Sequence, residues 1–118
     1  MDVWHAAPAE LAANWLDETS KSDGDWLGFY EEVYTNPELV WATVSIILDN
    51  KLTDKQMSIL AAGVLEALLD RHGDAFIERF EQRASQDEQF RTLLGGIWQS
   101  SIAPEIWNRI LVIRAKAW

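Results

Sequence analysis

The chain has 118 residues, enough for one domain that buries roughly two-thirds of its extended surface. It has no cysteine, which excludes disulfides, thiolate metal sites, iron–sulfur clusters and a cysteine nucleophile. Ten basic against 19 acidic residues give a net charge of −9, which opposes direct binding to nucleic acid or to an anionic membrane.

The apolar spacing predicts helices throughout. Pro8 suits the first turn of a helix running to about Glu18, with Leu11, Trp15 and Leu16 inward. Lys21-Ser22-Asp23-Gly24 breaks it, and Asp23 or Asp25 can cap a second helix. In that helix Trp26, Phe29, Tyr30 and Val33 fall at i, i+3, i+4 and i+7. Asn36-Pro37-Glu38 supplies a cap, a prolyl first position and an acid in the first turn. The third helix follows with Val40, Val44, Ile47 and Leu48 on its stripe and Trp41 beside it. Its β-branched residues would also suit a strand, but the prolyl start and the spacing favour helix.

Thr53 and Gln56 form a capping box for a fourth helix through Leu60, Val64, Leu68 and Leu69. Gly63, inside it, is read as the mark of a close helix crossing, and His72-Gly73 as the helix end, with the glycine in the left-handed position. Asp74 starts a fifth helix carrying Phe76, Ile77 and Phe80. Ser85 and Glu88 form a second capping box, followed by a stripe of Phe90, Leu93, Leu94, Ile97 and Trp98 that the Gly95-Gly96 pair should bend. Pro104 opens the last helix, along which lie Trp107, Ile110, Leu111 and Arg114.

The predicted fold is therefore all-α: one domain over residues 1–118, with about seven short helices packed as antiparallel pairs. It would be a small α-solenoid-like stack or an irregular bundle. Nothing resembles a secretory leader, and the longest nearly uncharged apolar stretch, residues 39–48, is about half a bilayer span. A cytoplasmic location is expected.

Charge is unevenly placed along the chain. Residues 1–50 hold ten acids and one base, Lys21, for −9, whereas residues 51–118 hold nine acids and nine bases. A solvated surface that maintains solubility would account for this. So would an acidic face aimed at a basic protein partner, since complementary charge speeds encounter and selects the partner. The candidate partner-binding residues are Asp17, Glu18, Asp23, Asp25, Trp26, Tyr30, Glu31, Glu32 and Glu38. Trp26 lies on its helix stripe and also beside acids, so it could be core or interface anchor. Of the seven tryptophans, Trp15, Trp41, Trp98 and Trp107 are expected in the core, and Trp4 and Trp118 either dock the chain ends or anchor a partner.

Chemistry-bearing motifs are sparse. The phosphate-binding loops, zinc-protease, nucleophile-elbow and calcium-loop signatures are missing. Asp70-x-His72-x-Asp74 would be a weak ligand set, and His72 reads better as a cap on the last carbonyls of its helix. Glu66 with Asp70, and Glu78 with Glu81, could hold an acid–base pair, but Arg71, Arg79 and Arg83 are near enough for ordinary salt links. No catalytic residue, metal ligand or cofactor is assigned.

Gly63-x-Leu65-Glu66-x-Leu68-Leu69-x-x-His72-Gly73-x-x-Phe76-Ile77, then Ala84-x-x-Asp87-x-x-Phe90-Arg91, then Leu94 and Trp98, resembles a family of small bacterial proteins classed as a domain of unknown function. The resemblance covers about residues 57–107. It implies a short all-helical bacterial protein, similar to immunity-type proteins, and supplies no reaction. With the charge pattern, the expectation is a non-enzymatic acidic module that neutralises a basic toxin or nuclease. Two alternatives stay open beside it: a nucleic-acid-mimicking inhibitor of a defence nuclease, of anti-CRISPR type, and a helical-repeat adaptor without inhibitory role. An enzyme built on Glu66, Asp70 and His72 would need those side chains to converge in one pocket.

Overall fold

A computed structural model describes residues 8–21 and 35–115. Two compact units divide the chain, Met1–Leu52 and Thr53–Trp118. The described residues form helices and contain no strand, so the all-α expectation holds. The helix expected around Trp26 and Tyr30 lies outside the described residues.

In the first unit, α1 (Pro8–Lys21) packs against α2 (Pro37–Ile47). The prolyl starts fall where expected. Asn36 caps α2, its side-chain oxygen accepting from Leu39 N–H at 3.2 Å, and Pro37 follows where no amide hydrogen is needed. Ala12 and Trp15 of α1 and Val40, Val44 and Ile47 of α2 are buried. Two hydroxyls share that interior, Thr19 and Thr43, whose Oγ1 atoms donate to the carbonyls of Trp15 at 2.7 Å and Leu39 at 2.8 Å. Each thus satisfies its hydroxyl within its own helix. Helix α1 extends past the expected stop near Glu18, and Leu11 and Leu16 are half-buried.

In the second unit one long helix replaces two of the expected ones. Asp54–Leu60, a π turn at Ala61–Leu65 and Glu66–Ala84 follow one another and together are α3, whose two helical stretches meet at a kink at His72, where the helix end was expected. The Thr53–Gln56 capping box is complete: Gln56 N–H donates to Thr53 Oγ1 at 3.1 Å, and Thr53 N–H donates to Gln56 Oε1 at 2.9 Å. The helix then crosses His72 with a kink, at φ −135° and ψ 28°. Ala61, Leu65, Leu69, Gly73 and Ile77 are all buried and four residues apart. In an ideal helix each such step drifts about 40° around the axis. The π turn and the kink at His72 interrupt the regular helix along this row.

The close approach expected at Gly63 is found at Gly73 instead. A Cβ on Gly63 would meet nothing within 4 Å, so Gly63 marks no close crossing. A Cβ on Gly73 would stand 3.2 Å from both Cγ1 and Cγ2 of Ile106. Gly73 directly follows the kink at His72 and is the point of close approach to α5 (Pro104–Ile113), without the left-handed backbone expected of it. His72 stands at the kink itself.

Helix α4 (Glu88–Leu94) is capped by Asp87, which accepts from Phe90 N–H at 3.2 Å. Ser85 does not form the expected box; its Oγ donates to Gln82 O at 2.7 Å. Asp87 prevails because it also receives Arg83, at 3.0 Å from Nε and 2.9 Å from Nη2. Helix α4 stops at Leu94, before Gly95-Gly96, rather than bending through them. Five helices thus stand among the described residues where seven were expected in the whole chain. No described helix is long and apolar enough to cross a membrane.

Candidate functional site

The division into units falls almost on the charge boundary. Met1–Leu52 carries ten acids and two bases, for −8, and Thr53–Trp118 carries nine acids and eight bases, for −1. The acidic part is thus a structural unit with its own buried residues. Among the candidate partner-binding residues, Asp17 and Glu18 are exposed on α1, and Glu38 is exposed in the first turn of α2. Asp23, Asp25, Trp26, Tyr30, Glu31 and Glu32 lie outside the described residues.

A second feature belongs wholly to Thr53–Trp118. The α3 kink opens a cleft of about 370 Å³, at the small end of ligand-pocket volumes. Leu69, Ile106 and Ala103 supply apolar lining, and Asp70, Asp74 and Ser101 are among its polar residues. Arg71 and His72 also line it; the His72 ring meets Phe76 edge-on, with centroids 6.4 Å apart and planes at 67°. Glu66 is not part of this lining. Its carboxylate accepts instead from Ser100 Oγ at 2.6 Å, so the three groups an enzyme would have needed together are not gathered in the cleft. No group of three or more metal-ligating side chains occurs among the described residues.

The carboxylate pair Glu78–Glu81 resolves into a cross-helix ion pair. Arg109 of α5 grips Glu81 with both Nε, at 2.9 Å, and Nη2. The sequence offered only the nearer arginines; Arg83 goes to Asp87, and Arg79 lies over the Phe76 ring, 4.6 Å from its centroid. The Arg109 hydrogen bonds, and then its charge, hold the Glu81 carboxyl below the usual carboxylate range. A lowered folded pKa stabilises fully above the unfolded value, and that stabilisation fades as pH falls through the folded one. We expect Glu81→Gln to lower the urea midpoint modestly at pH 7, and that deficit to shrink as pH falls and the carboxylate is protonated. A deficit that does not change with pH would mean that the carboxylate charge contributes nothing.

The tryptophans divide differently from expectation. Trp15 is buried at 1% exposure, and Trp41 and Trp107 are half-buried. Trp98 is 75% exposed and is not core. Helix α4 ends four residues before it, so the stripe that would have turned it inward does not continue. On α5, Leu111 is also exposed.

The sequence of the whole chain supports one assignment. A family model described as a family of unknown function, DUF6869, matches residues 14–118, considerably more than the stretch that carried the resemblance. No curated protein and no solved structure matches the chain.

Proposed function

We propose that this chain, which belongs to the family of unknown function DUF6869, is a small acidic protein-binding module that neutralises a basic protein. Its concrete form is a bacterial, cytoplasmic immunity protein against a nucleic-acid-cleaving toxin. The observation that carries this reading is the coincidence of charge with structure: −8 on Met1–Leu52 against −1 on Thr53–Trp118. Proteins that cleave nucleic acid carry basic clefts, because phosphate neutralisation dominates their affinity. An acidic unit can cover such a cleft, with charge giving rapid encounter and a tryptophan or tyrosine giving a slow off-rate. Asp17, Glu18, Asp23, Asp25, Glu31, Glu32 and Glu38 would supply the charge, and Trp26 or Tyr30 the anchor.

The test is co-expression with a basic toxin-like protein sought among the products of neighbouring genes. The toxin should arrest growth alone and be tolerated with this chain. Reversing Glu31 and Glu32 to lysine should weaken the complex about three- to tenfold at low salt and flatten its salt dependence. Unchanged affinity and unchanged salt dependence after reversal would overturn this assignment, as would failure of the chain to protect.

A further inference from the structure

We propose that the α4–α5 loop and the adjoining cleft form a second docking surface, on Thr53–Trp118 itself, for an arginine-bearing segment of the basic partner. This rests on the reading of the partner as a basic protein. The first observation is Trp98, which is 75% exposed yet sits on a firmly built loop. Ile97 and Ile102, on either side, are buried at 3% and 2% exposure. The amides of Gly95, Gly96 and Ile97 each donate back into α4, at 2.9–3.2 Å. Ile102 N–H closes a turn onto Gln99 O at 2.8 Å. Within that turn Ser100 holds φ 45°, and its hydroxyl reaches Glu66 on α3. The two isoleucines alone would close this loop over the interior. The fold instead leaves a large aromatic side chain in water on a hydrogen-bonded loop, an arrangement that suits an interface anchor.

The second observation is the charge and shape beside that anchor. Ser101 and Ala103 of the same loop line the cleft at the α3 kink, so Trp98 stands within about 11 Å of it along the chain. Asp70 and Asp74 lie on the facing side, both exposed, and neither carboxylate has a hydrogen-bond or ion-pair partner among the described residues. Arg71, the one arginine lining the cleft, is already engaged. Leu69 and Ile106 offer apolar lining for an aliphatic stem. An arginine fits each part: its stem lies on apolar surface, its guanidinium meets carboxylates, and a neighbouring cation stacks on the indole face.

The experiment is an NMR titration of the isotopically labelled full chain with blocked oligo-arginine and, separately, blocked oligo-glutamate. Oligo-arginine should shift the Trp98 indole N–H and the amides of residues 70–74 and 98–103, and oligo-glutamate should not. Trp98→Ala, at an exposed position that leaves the fold intact, should weaken the response at residues 70–74 about two- to fivefold. Asp70→Asn combined with Asp74→Asn should do the same. Shifts confined to Met1–Leu52 would overturn this surface while leaving the acidic unit as the partner site. An unaltered response at residues 70–74 in Trp98→Ala, or equal shifts with oligo-glutamate, would also overturn it. Failure of the chain to neutralise a toxin, with these shifts present, would instead count against the proposed function.

Discussion

Phe80→Ala is expected to lower the stability of Thr53–Trp118 by about 3–5 kcal/mol, the range for deleting a buried aromatic ring. Phe80 is fully buried near the end of α3, and its ring lies 5.5 Å from that of Phe90 on α4, tilted by 59°. Truncation removes the buried apolar area, leaves a cavity against Phe90 and deletes an aromatic pair that is itself worth about 0.5–1.5 kcal/mol. Domains of this size have only about 5–15 kcal/mol of net stability, so the loss is a large share of the total. Urea unfolding followed by hydrogen exchange at α3 and α4 amides would measure it unit by unit. A loss below about 1 kcal/mol would mean that the two rings do not share a close-packed interior.

Gly73→Val should cost about 1–3 kcal/mol, through crowding rather than through any loss of contact. A Cβ alone would stand 3.2 Å from two carbons of Ile106, and valine adds two further methyls against the same side chain. The effect runs against helix propensity, since replacing a helical glycine with a residue bearing a Cβ normally helps by up to about 1 kcal/mol. Gly63→Ala is the internal comparison, because open space surrounds that position; it should be neutral or stabilising. If crowding is the cause, Ile106→Ala combined with Gly73→Val should be less damaging than the sum of the single changes. Strict additivity would place the cause in the backbone at the His72 kink instead.

These two positions show where sequence information stops. The aromatic stripe of Phe76 and Phe80 could be read directly, because helical spacing repeats within a turn or two. Gly73 could not. A glycine after a histidine at the end of an apolar run has the form of a helix terminus, and only Ile106, 33 residues later, shows that it is a crossing point. Asp87 displaced Ser85 as a cap for a similar reason: both have the right side chain, and Arg83 decides between them. Glu81 finds Arg109 on another helix rather than a nearer arginine, a choice that sequence spacing cannot make.

By itself, the sequence determined the all-α class, the prolyl starts at Pro8, Pro37 and Pro104, the caps at Asn36 and Thr53, and an acidic first half. Each of these depends on groups within about one helical turn, or on a simple count. The tertiary structure alone decided that α3 is one kinked helix, that Gly73 meets Ile106, that Trp98 faces water, and that the charge boundary is also a boundary between compact units. Those outcomes depend on which distant side chains compete for the same space and the same hydrogen bonds, and that competition exists only once the chain has folded.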